Sequence, residues 1–216
     1  MARRCSRRAL RYFVAIIYSD SIVINTPTPY TPEVHTLPTD AIALLKADHR
    51  VVEELFKKFE KSGERALKTR RSLVDQMLRE LVTHTYIEEQ VFYPFIRSLN
   101  KKLNDETLEA LEEHHAAKAT LAELQVMSSS EERFTPKVTV LIESVRHHVK
   151  EEERELFPEV REASNRSDLV ALVPALEAAK AKAPSRALPN APDTPSGETS
   201  SPSSLGNVLD HVTGVT

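Results

Sequence analysis

His84 and Glu88 stand four residues apart, and so do His148 and Glu152. Each pair opens a phrase that closes on a proline ten residues after the histidine. The first reads HTYIEEQVFYP from His84 to Pro94, and the second HVKEEERELFP from His148 to Pro158. Four residues are about one turn of helix, so each imidazole shares a face with its carboxylate. Upstream, an acidic residue precedes a histidine twice, as Asp48-His49 and Glu113-His114. The intervals are 35 residues from His49 to His84 and 34 from His114 to His148. The chain therefore repeats one unit, a helix carrying His followed by a helix carrying His and Glu. Four imidazoles and two carboxylates in two matching sets point to a two-metal site inside a helical bundle.

The elements that must carry these groups are legible as apolar stripes. Ile42, Leu45, His49, Val52, Phe56 and Phe59 step by three and four, as a buried helical face does. Thr39 or Asp40 is placed to cap that helix. A second stripe runs Val74, Met77, Leu81, His84, Glu88, Val91 and Phe95, with Pro94 expected to kink or end the helix. A third helix is expected to start near Asn104 or Asp105 and carries Leu111, His114, Leu121 and Leu124 on one face. A fourth is expected to start at Thr135-Pro136, with the stripe Val138, Leu141, Val145, His148 and Glu152. Short connections favour antiparallel neighbours. The fold class expected is all-α: an antiparallel up-down four-helix bundle with a short fifth helix near the C-terminus.

The domain reading follows from composition. Residues 1–38 read as a disordered or leader segment: Arg3, Arg4, Arg7, Arg8 and Arg11 precede a short apolar patch, and Thr26-Pro27-Thr28-Pro29 blocks regular structure. The bundle is expected over 39–163 and an accessory helix over 164–182, with Leu169, Leu172 and Leu176 as its apolar face. From 183 to 216 Pro, Ser and Thr dominate, and a disordered tail is expected. A net charge of −3 gives no push toward nucleic acid, and no apolar run reaches the roughly 20 residues that span a bilayer. The expected location is the cytoplasm. Only 4 Gly, none in a phosphate-binding loop, and a single Cys argue against nucleotide cradles and internal disulfides.

Burying Glu88 and Glu152 on apolar seams requires a partner, and neither seam supplies an evident Lys or Arg. A metal-free polar core of six such groups would be costly unless every member were hydrogen-bonded. Without thiolates the site is neither an iron–sulfur cluster nor a structural zinc knuckle. Mixed imidazole and carboxylate suits iron, with manganese or zinc behind it. The two glutamates are placed to bridge a metal pair, with two His on each ion. A solvent-derived oxo or hydroxo bridge would complete the charge balance, with positions left open for a small ligand.

The ordered pattern Asp48-His49, His84-x-x-x-Glu88-Glu89 with Phe92-Tyr93-Pro94, Glu113-His114, and His148-x-x-x-Glu152-Glu153 with Leu156-Phe157-Pro158 resembles the hemerythrin-like HHE cation-binding domain over about 40–160. The resemblance implies an antiparallel four-helix bundle around a non-haem di-iron centre with His49, His84, Glu88, His114, His148 and Glu152 as ligands. Oxygen-carrying hemerythrin has a further His one turn after the third-helix ligand, where this chain has Lys118. It also has an Asp five residues after the final His, where this chain has Glu152 at four. These departures point away from reversible O2 transport and toward sensing or handling of O2, NO, peroxide or iron. An enzyme that disproportionates peroxide or reduces NO is the alternative. His114 is preferred to His115 because Leu121 and Leu124 follow it as Phe56 and Phe59 follow His49. His147 lies about 100° round the helix from His148 and reads as a surface residue. Glu89 and Glu153 read as a solvated face, with a possible role as acceptors for ligand imidazoles. Tyr86 and Tyr93 read as packing residues within reach of a bound oxygen species. No protein partner is indicated.

Overall fold

Asp40 starts the first helix because its side chain does what a backbone carbonyl cannot. Its backbone is extended, and Oδ1 accepts from the Ala43 N–H at 2.9 Å. Arg161 donates to both oxygens of the same carboxylate, at 3.0 and 3.1 Å, and ties this start to a helix near the other end of the chain. The computed structural model describes residues 39–187. Within them the order is α1 (Ala41–Lys61), α2 (Leu67–Ile87), a π-helical turn (Glu88–Phe92), α3 (Tyr93–Arg97), α4 (Lys101–Val126), α5 (Phe134–Glu151), a second π-helical turn (Glu152–Leu156), α6 (Phe157–Ala163), α7 (Arg166–Ala171) and α8 (Val173–Lys180). No strand occurs among the described residues. Helices α1, α2, α4 and α5 pack in ring order, each against its chain neighbour, as an antiparallel up-down bundle does.

Pro94 neither ends nor sharply breaks its helix. A proline cannot bond back to the carbonyl four residues earlier, and its ring collides with that carbonyl. The chain answers with one extra residue per turn just before it: the Tyr93 N–H bonds the Glu88 carbonyl, five residues back. The second copy repeats this, with the Phe157 N–H on the Glu152 carbonyl ahead of Pro158. The extra residue also rotates the seam. Val91, expected on the buried stripe, is half-buried, while Phe92 and Tyr93 are buried in its place.

Three helix starts differ from the sequence expectation. α4 begins three residues earlier than Asn104, because Asn100 is extended and its Oδ1 accepts from the Leu103 N–H at 2.9 Å. α5 begins at Phe134, with no side-chain cap; Thr135 is not the cap, and Pro136 falls in the first turn, where a missing N–H leaves nothing unpaired. The deeply buried Phe134 ring anchors that start. The expected fifth helix is two, α7 and α8, joined at Leu172 because Pro174 cannot continue the hydrogen bonding of α7. The expected tail from 183 falls partly inside the described residues: Ala187 is buried, and its N–H donates to Gln125 Oε1 at 3.1 Å. The rest of that tail and the 1–38 leader lie outside the described residues.

The apolar core comes in two parts. One gathers Ile42, Leu45, Ile87, Phe92, Ile96, Leu103, Phe157 and Val160, closed off by Leu169, Leu172 and Leu176 of the C-terminal helices. The other gathers Val52, Phe56, Phe59, Met77, Leu81, Leu121, Phe134, Val138 and Leu141. Between them in the helix sequences lie His49, His84, Glu88, His114, His148 and Glu152, all buried. Among the described residues no helix is long and apolar enough to cross a membrane.

Candidate metal centre

The six side chains singled out by the repeat meet in one polar layer. His49 Nε2 and His84 Nε2 lie 3.0 Å apart, and His114 Nε2 and His148 Nε2 lie 3.1 Å apart. Each glutamate sits between the two imidazole pairs. Glu88 Oε2 is 3.2 Å from His84 Nε2 and 3.4 Å from His114 Nε2. Glu152 Oε2 is 3.3 Å from His49 Nε2 and 3.6 Å from His148 Nε2. Two donors at right angles, each about 2.1 Å from one ion, are about 3 Å apart, so these separations are those of neighbouring ligands on a metal. His115 is exposed and takes no part.

An acid on the far side of three of the four imidazoles fixes the tautomer. His49 Nδ1 faces Glu153 Oε1 at 2.9 Å, His114 Nδ1 faces Glu89 Oε1 at 3.0 Å, and His148 Nδ1 faces Glu113 Oε2 at 2.7 Å. His84 Nδ1 points at Asp48 Oδ2 across a longer 3.9 Å. A carboxylate only accepts, so each close Nδ1 must carry the proton and each partner Nε2 must turn a lone pair inward. Sequence reasoning missed how these acids are shared out. The acid before each first histidine serves the second: Asp48 faces His84, and Glu113 faces His148. The acid after each ligand glutamate serves the opposite half: Glu89 holds His114, and Glu153 holds His49. The acid–His dipeptide in both halves was the signal for the first arrangement. Glu89, expected on a solvated face, is buried, because the π turn rolls it inward.

Three of the four outer acids are backed by lysine: Lys180 on Asp48 at 2.7 Å, Lys118 on Glu89 at 3.0 Å and Lys46 on Glu153 at 3.2 Å. Lys118 is buried and serves the imidazole support from the position where oxygen-carrying hemerythrin places a ligand. His147 is 62% exposed on its side chain and pairs with Glu151, a surface residue as expected.

Burial sets the protonation of the layer. It lowers His84 to about 4, against the pull of Asp48, and it lowers His114 as well. On His148 burial is outweighed by Glu152 and Glu113, and the group is raised. Burial, followed by the charge on Glu152, raises Glu88 well above the carboxylate range. Burial opposes charge on Glu152 too, but His148 and His49 hold it ionised. Without a cation, the layer thus tolerates one carboxylate charge of two. Both oxygens of Glu88 and Oε2 of Glu152 are buried with no hydrogen-bond partner. Buried polar atoms are rarely left so. With imidazole nitrogens turned toward them, the donor set fits cations.

The chain matches the model of the hemerythrin HHE cation binding domain over residues 40–160. It belongs to that family. An uncharacterized hemerythrin-like protein of Schizosaccharomyces pombe is 28% identical over 156 residues, 70% of this chain and 74% of that protein. A DNA nickase of Nostoc is 29% identical over 118 residues, 55% of this chain and only 32% of that longer protein. The crystal structure of a hemerythrin HHE cation binding domain-containing protein from Mycobacterium kansasii superposes with a TM-score of 0.57 at 26% identity, covering 66% of this chain and 86% of that one. The hemerythrin-like domain is thus a cation-binding helical bundle, and its His and Glu clusters suit a metal.

Proposed function

We propose that this hemerythrin-like chain holds two iron ions, one at His49 and His84 and the other at His114 and His148, with Glu88 and Glu152 spanning both, and that it binds, senses or handles O2, NO or peroxide there. The observation that carries this reading is the pairing of inward-facing Nε2 atoms at 3.0 and 3.1 Å around carboxylate oxygens that have no protein partner. Where an acid keeps the proton at Nδ1, the Nε2 lone pair faces a carboxylate oxygen and repels it, and a cation between them reverses the sign.

The residues do three things. The outer acids hold the proton at Nδ1 and fix the turn of the imidazoles they touch, leaving Nε2 for a cation. The two glutamates supply charge to offset the ions. The apolar surroundings exclude bulk water. Iron supplies the redox change and the open coordination positions that a small oxidant or diatomic gas needs. A cavity of about 20 Å³ adjoins the layer, lined by the four imidazoles and by Val52, Leu81, Ala117, Leu121, Val145 and Val149. That is room for about one or two molecules of water size, which suits a diatomic gas or peroxide.

Anaerobic loading with Fe²⁺ followed by elemental analysis tests the reading. Two irons per chain, and a new near-ultraviolet charge-transfer band on exposure to O2, are expected. A colourless product without metal, or one zinc per chain, overturns it. Catalytic loss of peroxide or NO that disappears in Glu88→Ala and Glu152→Ala would assign the centre to turnover instead of sensing.

A further inference from the structure

The repeat places Tyr93 and Phe157 in equivalent positions. Each follows its histidine by nine residues and precedes a proline. Each ring lies against a ligand imidazole of the other half: Tyr93 is 5.3 Å from the His114 ring, and Phe157 is 5.9 Å from the His49 ring. At this pair of ring positions the halves differ by one hydroxyl. Tyr93 Oη donates to Glu152 Oε1 at 2.9 Å and lies 3.3 Å from His114 Nε2. Phe157 has no such group to offer Glu88, and the difference shows in the carboxylates. Glu88 keeps two oxygens without a partner; Glu152 keeps only Oε2.

Resting on the two-ion reading, we propose that Tyr93 is a positioning residue that makes the two metal positions unequal. By holding Glu152 Oε1 it leaves that carboxylate a single oxygen for the cations, while Glu88 retains two. It also sets a hydrogen-bond donor beside the His114/His148 position and none beside the His49/His84 position. The ligand set, read as residue types alone, is symmetric; beside the ligand glutamates the hydroxyl breaks that symmetry. A small ligand would therefore meet two ions of different charge and openness.

Mössbauer spectra of the full chain loaded anaerobically with ⁵⁷Fe²⁺ test this, after elemental analysis has counted the iron. Wild type is expected to give two quadrupole doublets of equal area. Tyr93→Phe removes the hydroxyl and brings the doublets together. Phe157→Tyr adds the matching hydroxyl opposite Glu88 and narrows the difference from the other side, so it decides the matter if Tyr93→Phe fails to fold. A tyrosine that only fills space predicts unchanged splittings in both variants. One doublet in wild type, or a wild-type separation retained in the variants, overturns the proposal while leaving two-iron binding intact. Fewer than two irons per chain overturns both.

Discussion

Replacing Glu88 by Met should stabilise the metal-free protein while abolishing its metal centre. Glu88 is fully buried, and neither oxygen has a hydrogen-bond partner. An unsatisfied buried polar group costs about 1–3 kcal/mol. Exchanging buried ionic groups for apolar side chains of similar volume is often neutral or stabilising by about 1–4 kcal/mol. Methionine matches glutamate in length and bends to fill an irregular gap. A gain of about 2 kcal/mol follows, which for a domain of this size is about 4–8 °C in Tm. Urea and thermal melts in chelator measure it. The sign reverses with metal present: Fe²⁺ should raise the Tm of wild type and leave Glu88→Met unmoved, because only a folded state that binds the ion is stabilised by it.

The same substitution carries a pH signature. Burial raises Glu88 in the folded state above its ordinary 4.5. Such a group stabilises the fold at pH below its unfolded value, and that contribution is lost as pH climbs through the raised folded value. The advantage of Glu88→Met over metal-free wild type should therefore grow from about pH 5 toward neutrality and above. If metal-free Glu88→Met melts below metal-free wild type across that range, then Glu88 has a compensating partner in the protein and the reading of the layer as an empty-handed ligand set is wrong.

Other expectations follow from neighbouring groups. Glu89→Gln keeps the shape of the His114 support but removes its charge, and two-ion stoichiometry should persist with affinity lowered about 10–100-fold in competition titrations. His147→Ala should leave both stoichiometry and affinity unchanged, since that ring lies outside the layer; weakened binding would mean that the His147–Glu151 pair feeds the centre. Asp40→Ala removes the cap of α1 and the acceptor for Arg161, and should cost about 1–2 kcal/mol in urea melts without altering metal content.

The helices and the identity of the inward-facing groups were legible because both depend on spacing along one helix. His49, His84, His114 and His148 fall on stripes whose period the sequence displays. What was not legible depends on departures from that period or on pairing across helices. The π turns at Glu88–Phe92 and Glu152–Leu156 add a residue that no α-helical wheel contains, so Val91 was placed where Phe92 and Tyr93 lie and Glu89 was placed in solvent. Pro94 and Pro158 carried the clue, because a proline kept within a continuing helix needs a ladder with room for it. The start of α4 was missed because Asn100 precedes a lysine pair that shows no apolar period. The Tyr93–Glu152 and Glu153–His49 contacts join residues 59 and 104 positions apart, a separation about which local pattern is silent.

The sharing of outer acids explains why the repeat works only as a pair. Within a half, Glu113 orients His148 through a 2.7 Å hydrogen bond, and Asp48 faces His84 across a longer 3.9 Å. The first imidazole of each half is not oriented from within it. His49 takes its acceptor from Glu153, and His114 takes its acceptor from Glu89, each in the opposite half. The ligand glutamates cross in the same way: Glu88 Oε2 touches His114 as well as His84, and Glu152 Oε2 touches His49 as well as His148. A single half would hold one imidazole without an acceptor at Nδ1, free to rotate or to take the wrong tautomer. Its glutamate would reach toward an ion whose nitrogen ligands are missing. Both π turns carry this exchange, because each sets two successive carboxylates side by side, one facing the His layer and one facing an imidazole across the bundle. If the six residues hold cations as proposed, metal binding and the association of the two halves would be one equilibrium.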